Sequence, residues 1–479
     1  DVYSSYETSV YQPVYSIVAK NSNSKEQDRF VSVINDTLEK LVKDGINERT
    51  IEAGINYYEF KYREADYGPY PKGLMYYLTM MDSWLYDETK PFIHIEAGDT
   101  FDELKKNARN GYFEKLIKEY LLDNNHKSII SLVPEYGLEK EKEQKEADKL
   151  AEYKSTLTND ELEELVKKTK ELKEYQDTPS SQEDLEKIPM LELSDIKREP
   201  AKDYNDVKSV DGIKIVHHNI FTNKIAYINM SFDTKCVPDE LIPYMGLLGS
   251  TLSLMDTKNY TYPELTNEIN INCGGLATGT ALYSDKVDFS KNTIVYEVKS
   301  KALYEKVPFV LGMMEEIMYN TRFDDYKRLK EIIARIKSRL EASLMGQGHS
   351  IAMLECCAQF SESAYYSDIL RGYKYYEFIK KLDEEFEQNK TQIVDKLNKL
   401  VGYIFNKDNV IVSLTADDEG YDCFVKALSA KSCNIKDEHY NTAVRSFIPV
   451  NVKTGYTSAS QVQYVARCGN FVKDGYKYT

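Results

Sequence analysis

The stretch from Leu138 to Pro200 limits what this chain can fold into more than any other. It opens Glu139-Lys140-Glu141-Lys142-Glu143, stays charged to Tyr175 and stops at Gln176-Asp177-Thr178-Pro179. So many ionised side chains cannot be buried together, so the segment has to be solvated helix between two apolar, strand-bearing halves. Thr158 and Glu161 form a T-x-x-E capping box, which predicts a break near Ser155 and a separate start for a second helix. In that helix Leu162, Leu165, Val166, Thr169 and Leu172 share a face, whereas the first offers only Ala147, Leu150 and Ala151. A connecting helical hairpin fits this pattern. A free-standing coiled-coil partner site is the alternative, and it lacks a heptad sustained over three or four repeats.

At 479 residues the chain has room for roughly three domains of ~150 residues. Apolar residues at 42% and charged residues at 29% are those of a soluble globular protein. No apolar run approaches the ~20 residues that cross a bilayer, and no signal-peptide pattern follows Asp1. Because Asp1 is not Met, the natural start is expected elsewhere. The expected location is the cytoplasm, of bacterial type, or another reducing compartment. A net charge of −16 argues against nucleic acid as the main partner and is compatible with basic peptides. The seven cysteines (Cys236, Cys273, Cys356, Cys357, Cys423, Cys433 and Cys468) are odd in number and form no C-x-x-C, which favours ordinary free thiols over a disulfide scaffold. The 39 tyrosines, beside the single Trp84, read as packing and surface residues, since no basic and aromatic stacking array accompanies them.

Along the chain, Val14 to Ala19 reads as a strand. Ser24 and Gln27 predict a capping box for a helix with Phe30, Val33, Ile34, Leu38 and Leu41 inward, ended by Gly45. A second helix from Glu48 turns Ile51, Ile55 and Tyr58 inward, and a third, after Pro69 and Pro71, carries Leu74, Leu78, Met81 and Leu85. Two shorter helices follow Asp99-Thr100, and Ile129 to Val133 suits a buried closing strand. Beyond the hairpin, Ile213 to His218 and Lys224 to Phe232 read as adjacent strands around Thr222-Asn223. Helices are expected over 239–255, 262–272, 301–319, 324–344, 350–363 and 373–387, and strands after Gly274-Gly275, over 292–298, over 410–414 and from Val462. The order strand, long helix, break, second helix occurs around Phe30 and again around Phe309, an internal echo. If the repeat is genuine, both ends of the chain fall inside α+β modules and leave sheet edges unpaired.

The six histidines are His94, His126, His217, His218, His349 and His439, and none lies in an H-x-x-E-H or H-E-x-x-H. A zinc peptidase needs two imidazoles one helical turn apart with a carboxylate beside them. His217 and His218, consecutive on a strand, face opposite ways. His94 and Glu96 have strand-like spacing and no third ligand. G-x-S-x-G, Walker and G-x-G-x-x-G motifs are absent. Gly274-Gly275-Leu276-Ala277-Thr278-Gly279-Thr280 is glycine-rich but follows a helix and has no lysine. It reads either as a simple turn or as a bend into an edge strand able to pair with an extended peptide. Gly346-Gln347-Gly348-His349 reads as a helix break.

Several stretches together resemble the pitrilysin/insulinase family of zinc metallopeptidases, in its presequence-protease branch. They are Gln176-Asp177-Thr178-Pro179, Leu185, Ile188-Pro189, Leu191 and Asp195-Ile196; Ile51-Glu52-Ala53, Gly73-Leu74 and Trp84-Leu85-Tyr86; and Ser300 to Leu303, Phe323-Asp324-Asp325 and Arg328-Leu329. The match follows the family's order over essentially the whole chain, and the block from Gln176 is its most specific part. The resemblance implies an α+β fold of repeated insulinase-type domains, each an antiparallel-rich sheet covered by helices, joined by the charged hairpin. It implies four such domains, hinged in pairs around a closed chamber where short unstructured peptides are cut at one zinc.

On that alignment residues 1–136 are the carboxy-terminal part of the second domain, 137–200 the hinge, 201–436 a noncatalytic third domain that is a degenerate copy of the zinc domain, and 437–479 a linker and the first strand of the fourth, at Gln461-Val462-Gln463-Tyr464-Val465. Where the active copy bears H-x-x-E-H, this chain has about Pro243-Tyr244-Met245-Gly246-Leu247-Leu248, with no ligand. No catalytic or metal residue is therefore carried over; zinc is expected in the parent enzyme, whose zinc-bearing and carboxy-terminal domains, with its Arg and Tyr, are the implied partners. Gly274 to Thr280 falls where the active copy has its substrate-pairing edge, and Gln176, Asp177, Pro179, Ile188 and Pro189 mark the hinge. The function implied is a noncatalytic hinge and chamber wall, inactive alone. The alternative is a complete peptide-binding or scaffold subunit that pairs with a separate zinc-bearing chain.

Overall fold

The computed structural model describes residues 2–199, 204–285, 288, 291–430, 434–457, 462–471 and 475–476. Asp1, Pro200, Cys433 and Gln461, named above, lie outside these. Residues 1–22, 31–125 and 204–479 make one compact unit, and residues 23–30 and 126–203 a second.

The chain opens with two antiparallel strands, β1 (Val2–Glu7) and β2 (Val14–Ala19), pairing Val2 with Ala19 and Glu7 with Val14. The helix after them, α1 (Gln27–Asp44), is led by a short 3-10 turn. Its cap is Asn23, whose side chain accepts from Lys25 N at 3.1 Å; the expected Ser24–Gln27 box gives way because the tighter turn presents that amide to Asn23. Then come α2 (Glu48–Glu64), α3 (Lys72–Trp84), α4 (Gly98–Asn107) and α5 (Tyr112–Leu116). Helix α2 buries Ile51, Ala53 and Ile55, but Tyr58 points to solvent. Ile129 to Val133 is not a strand: it pairs with nothing in a sheet, and Leu132 is 95% exposed. An extended apolar run becomes a strand only where a partner takes its main-chain groups, and none of the described strands does.

In the second unit α6 (Leu138–Thr156) and α7 (Asn159–Asp177) separate where the capping box predicts. Thr158 N donates to Glu161 Oε2 at 2.8 Å, and Glu161 N donates to Thr158 Oγ1 at 3.3 Å. Neither helix buries a residue, and pairs such as Lys145–Glu141 at 2.6 Å line their faces. A short helix, α8 (Gln182–Glu186), follows.

From residue 204 the chain builds a six-stranded sheet. Its elements are β3 (Asp206–Val210), β4 (Ile213–Asn219), β5 (Ile225–Asp233), α9 (Ile242–Thr251), α10 (Tyr262–Asn272), β6 (Leu276–Ser284), β7 (Asn292–Leu303), α11 (Val307–Tyr319), α12 (Tyr326–Gly346), α13 (Gly348–Ala358), α14 (Glu362–Arg371), α15 (Tyr373–Glu384), α16 (Phe386–Ile404), β8 (Val410–Ala416) and α17 (Asp418–Ser429). The strand order is β3-β4-β8-β5-β7-β6. The strands β4 and β5 are thus not neighbours: β8 lies between them, parallel to β4 and antiparallel to β5. Val410, Val412, Leu414 and Ala416 are all buried, so β8 is held in the sheet's interior, where both its edges are paired. The strand, helix, helix order of β2-α1-α2 recurs as β7-α11-α12, although the first occurrence lacks a closing strand.

Alternation puts Ile213 and Ile215, Ala226, Ile228, Met230 and Phe232, and Ile294, Tyr296 and Val298 on one face, where helices bury them in a single cluster. Phe405, just past α16, lies edge-on to Phe232, Tyr296 and Tyr319 at ring distances of 5.1, 5.5 and 6.1 Å. The expected helix over 350–363 divides because Ser361 caps α14, accepting from Ala364 N at 3.4 Å.

Val462 to Ala466 is not a strand either. Among the described residues, 443–470 carry no helix or strand and run as a strap. Ala443 N donates to Lys235 O at 2.9 Å, and Val450 N and Val452 N donate to the Gln359 carbonyl and side chain at 2.8 and 2.7 Å. These three amides are satisfied by clamps rather than by a ladder. Farther along, Tyr456 OH donates to Glu355 Oε2 at 3.2 Å. Burial and the neighbouring Asp368 push the Glu355 carboxyl up to about 7.

Two outcomes follow from this packing. Phe405→Ala removes the hub of four rings and lowers stability by about 3–5 kcal/mol, read by urea denaturation. Between an unfolded value near 4.5 and about 7 the folded chain holds a proton on Glu355 that the unfolded chain lacks, so stability falls as pH rises through that window and then levels. Glu355→Gln flattens the slope of urea midpoint against pH.

Candidate functional site

The start of β6 is fixed from two sides. Gly274 N donates to Lys301 O at 2.8 Å, and Ser300 Oγ donates to Gly275 O at 2.8 Å. A Cβ on Gly274 would overlap the ring of Phe60 on α2, so the close approach of that helix requires glycine. The same seam carries Lys301 Nζ against Glu64 at 2.6 Å, Asn267 Nδ2 donating to Thr50 Oγ1 at 3.0 Å, and Arg49 Nε donating to Glu268 at 2.9 Å. Gly274 to Thr280 therefore form one continuous segment, Gly274 and Gly275 leading in and Leu276, Ala277, Thr278, Gly279 and Thr280 on β6 itself.

The strand β6 is the last in the sheet and pairs with β7 alone, from Leu276 opposite Ser300 to Ser284 opposite Asn292. Its outer edge is a row of amides and carbonyls that this sheet leaves without a ladder partner. One face of β6 is closed by α9. Thr278 Oγ1 donates to Gly249 O at 3.0 Å, and a Cβ on Gly249 would stand 3.2 Å from Gly279 Cα. Two glycines facing each other let the helix backbone lie directly on the strand.

On α9 itself Tyr244, Met245, Leu247 and Leu248 are buried in the core. That stretch offers no imidazole, thiolate or carboxylate and does not fit a zinc ion. Among the described residues, the cluster of His, Cys, Asp or Glu side chains close enough to share a cation is Asp408, Asp437 and His439, all exposed. His217 is buried, Nε2 2.9 Å from Ala416 O, while His218 on the other face has Nε2 3.1 Å from Ser413 Oγ. His94 sits in a turn, not in a strand.

The sheet face away from the core is polar. Glu297 is buried there and accepts from Asn229 Nδ2 and Tyr283 OH, each at 2.9 Å, with Lys299 Nζ 2.6 Å away. Burial opposes its charge, but Lys299, Asn229 and Tyr283 outweigh this and hold the carboxyl below its ordinary range. This group and the Lys301–Glu64 pair were not singled out from sequence. An acid set between the apolar run Ile294-Val295-Tyr296 and Val298 was the available signal for Glu297. The residues expected to mark a hinge lie in the other unit: Gln176 and Asp177 end α7, Pro179 follows Thr178, and Ile188 N donates to Leu185 O at 3.1 Å just before Pro189.

A family model describing the associated region of the M16 peptidases, subfamily C, matches residues 132–382, more than half of the chain. The chain belongs to this peptidase-associated family. Protein HypA of Clostridium perfringens is 38% identical to this peptidase-associated chain over 479 residues, 99% of this chain and 48% of HypA. Presequence protease 1, chloroplastic/mitochondrial, of Arabidopsis thaliana is 28% identical over 97% of this chain and 43% of its own length. The mitochondrial presequence protease of Yarrowia lipolytica is 25% identical over 82% and 39%. The chain thus spans about half the length of the curated relatives it matches or less. No helix among the described residues is long and apolar enough to cross a membrane. The family match and the α+β architecture agree with the resemblance read from Gln176 to Ile196 and beyond.

Gly249→Val forces α9 away from β6 and is expected to cost about 1–3 kcal/mol. Amide exchange across residues 276–284 should speed up in the variant while β8 stays protected.

Proposed function

We propose that this chain is the noncatalytic central portion of a presequence-protease-like zinc metalloendopeptidase that degrades short unstructured peptides in a closed chamber. The observation that carries the reading is the pairing of α9 with β6. At the position where an active copy would hold its metal, α9 presents only apolar side chains to the core, and the strand it covers keeps an open edge. Such an edge binds an extended peptide through main-chain hydrogen bonds, which tolerate many sequences.

In this reading Gly274 to Thr280 line the chamber, and residues 137–200, with Gln176, Asp177, Pro179, Ile188 and Pro189, are the hinge. Residues 1–136 complete the second domain, 201–436 form the third, and 437–479 lead to the fourth. Zinc, its ligands and the carbonyl-contacting Arg and Tyr belong to the rest of the parent, in a reducing compartment. The net charge of −16 favours basic peptides as clients.

The purified chain should cleave no unstructured peptide with or without added zinc; cleavage abolished by a chelator would overturn the noncatalytic assignment. A saturating basic peptide of about 20 residues should slow amide exchange over residues 276–284 of β6. Unchanged exchange there would remove the edge from the proposal and leave the hinge and wall roles without a peptide contact.

A further inference from the structure

Two thiols that this function does not use lie side by side. Cys357 stands in the last turn of α13 and Cys468 in the far end of the strap, and their sulfurs are 3.1 Å apart. A disulfide is about 2.05 Å long, so the two need close by only about 1 Å. The approach is held on both sides, by main-chain amides at one and by a ring contact at the other. Gln359 clamps Val450 and Val452 beyond the carboxy-terminal end of α13, and the Tyr464 ring lies 5.6 Å from His349 near its amino-terminal end. Between these points Cys356 Sγ lies 3.7 Å from Ala466 O, and Cys468 Sγ 3.9 Å from Met353 O. Cys357 and Cys468 are half-buried, open to small molecules. By contrast the buried Cys236 and Cys273 turn their thiols to the carbonyls of Tyr403 and Ile269.

We propose that Cys357 and Cys468 form a reversible disulfide that fastens the strap to α13, a redox modification site in this chain. The oxidant is a low-molecular-weight disulfide such as oxidised glutathione. The thiolate of one cysteine attacks it, forming a mixed disulfide and releasing one thiolate. The second cysteine attacks the protein sulfur of that mixed disulfide, forming the Cys357–Cys468 bond and releasing the other thiolate. The two cysteines lose two protons and two electrons, and the oxidant leaves as two thiols. Burial, together with neighbouring sulfur, raises the Cys468 thiol above its ordinary value, so exchange quickens as pH rises. Cys356 also neighbours Cys468, but its thiol donates to Ala466 O, which leaves Cys357 as the partner sulfur.

The test treats the folded chain with oxidised glutathione, alkylates the remaining thiols, digests it and maps the peptides by mass spectrometry. The expected product is a Cys357 peptide joined to the Cys468 peptide, about 2 Da lighter than the sum of the two thiol forms and separated again by reductant. Cys468→Ser and Cys357→Ser should each abolish the product, and Cys356→Ser should retain it. Oxidation should also raise the thermal midpoint of the parent chain and leave that of Cys468→Ser unchanged. Free alkylated Cys357 and Cys468, arrest at glutathione adducts, or a Cys356–Cys468 link would overturn the assignment. A disulfide that forms without moving the midpoint would overturn the fastening role.

Discussion

Ile228, Met230 and Phe232 on β5, with Tyr296 and Val298 on β7, bury one face of the sheet, and Asn229, Ser231 and Glu297 occupy the other. A slip of one residue in the pairing of Ser231 with Glu297 would carry a charged carboxylate into the apolar cluster and expose the residues that hold it. Register is therefore strongly specified, and with it the position of β6, whose place at the margin is set by β7. The helices α9, α11 and α16 can then cover one side only, which leaves the opposite face polar and partly open. The features on which the proposed peptide-binding edge rests, a strand edge without a ladder partner beside a polar face, follow from that single constraint.

Legibility from sequence followed the range of the interactions. Where a signal is local it was readable: the Thr158 box set the break between α6 and α7. Val14 to Ala19, Ile213 to His218 and Val410 to Leu414 all proved to be strands. The errors came from partners distant in sequence. Strand β8 intervenes between β4 and β5 although nothing within either strand announces it. Ile129 to Val133 and Val462 to Ala466 have strand-like composition, yet no described strand lies alongside them. Helices α16 and α17, both amphipathic, were overlooked between stronger signals on either side.

The candidate site was partly legible for the same reason. The glycines that open β6 mark a place where backbone comes close to other atoms, but which atoms, Phe60 from α2 and Gly249 from α9, is a tertiary matter. The Lys301–Glu64 pair joins residues 237 apart in sequence, beyond the reach of any pattern. Family membership fills another part, because the peptidase-associated match runs from before the charged hairpin through β3 to β7 and into α15, stopping short of β8.

The central place of β8 has a consequence for how the chain is made. It is the last of the described strands to be synthesised, yet β4 and β5 each need it as a neighbour. On the ribosome the sheet therefore waits, with the apolar sides of β4, β5 and β7 already emerged, until residue 416 is free. Through that interval the nascent chain is most in need of a chaperone, and pauses in translation before β8 would prolong its exposure.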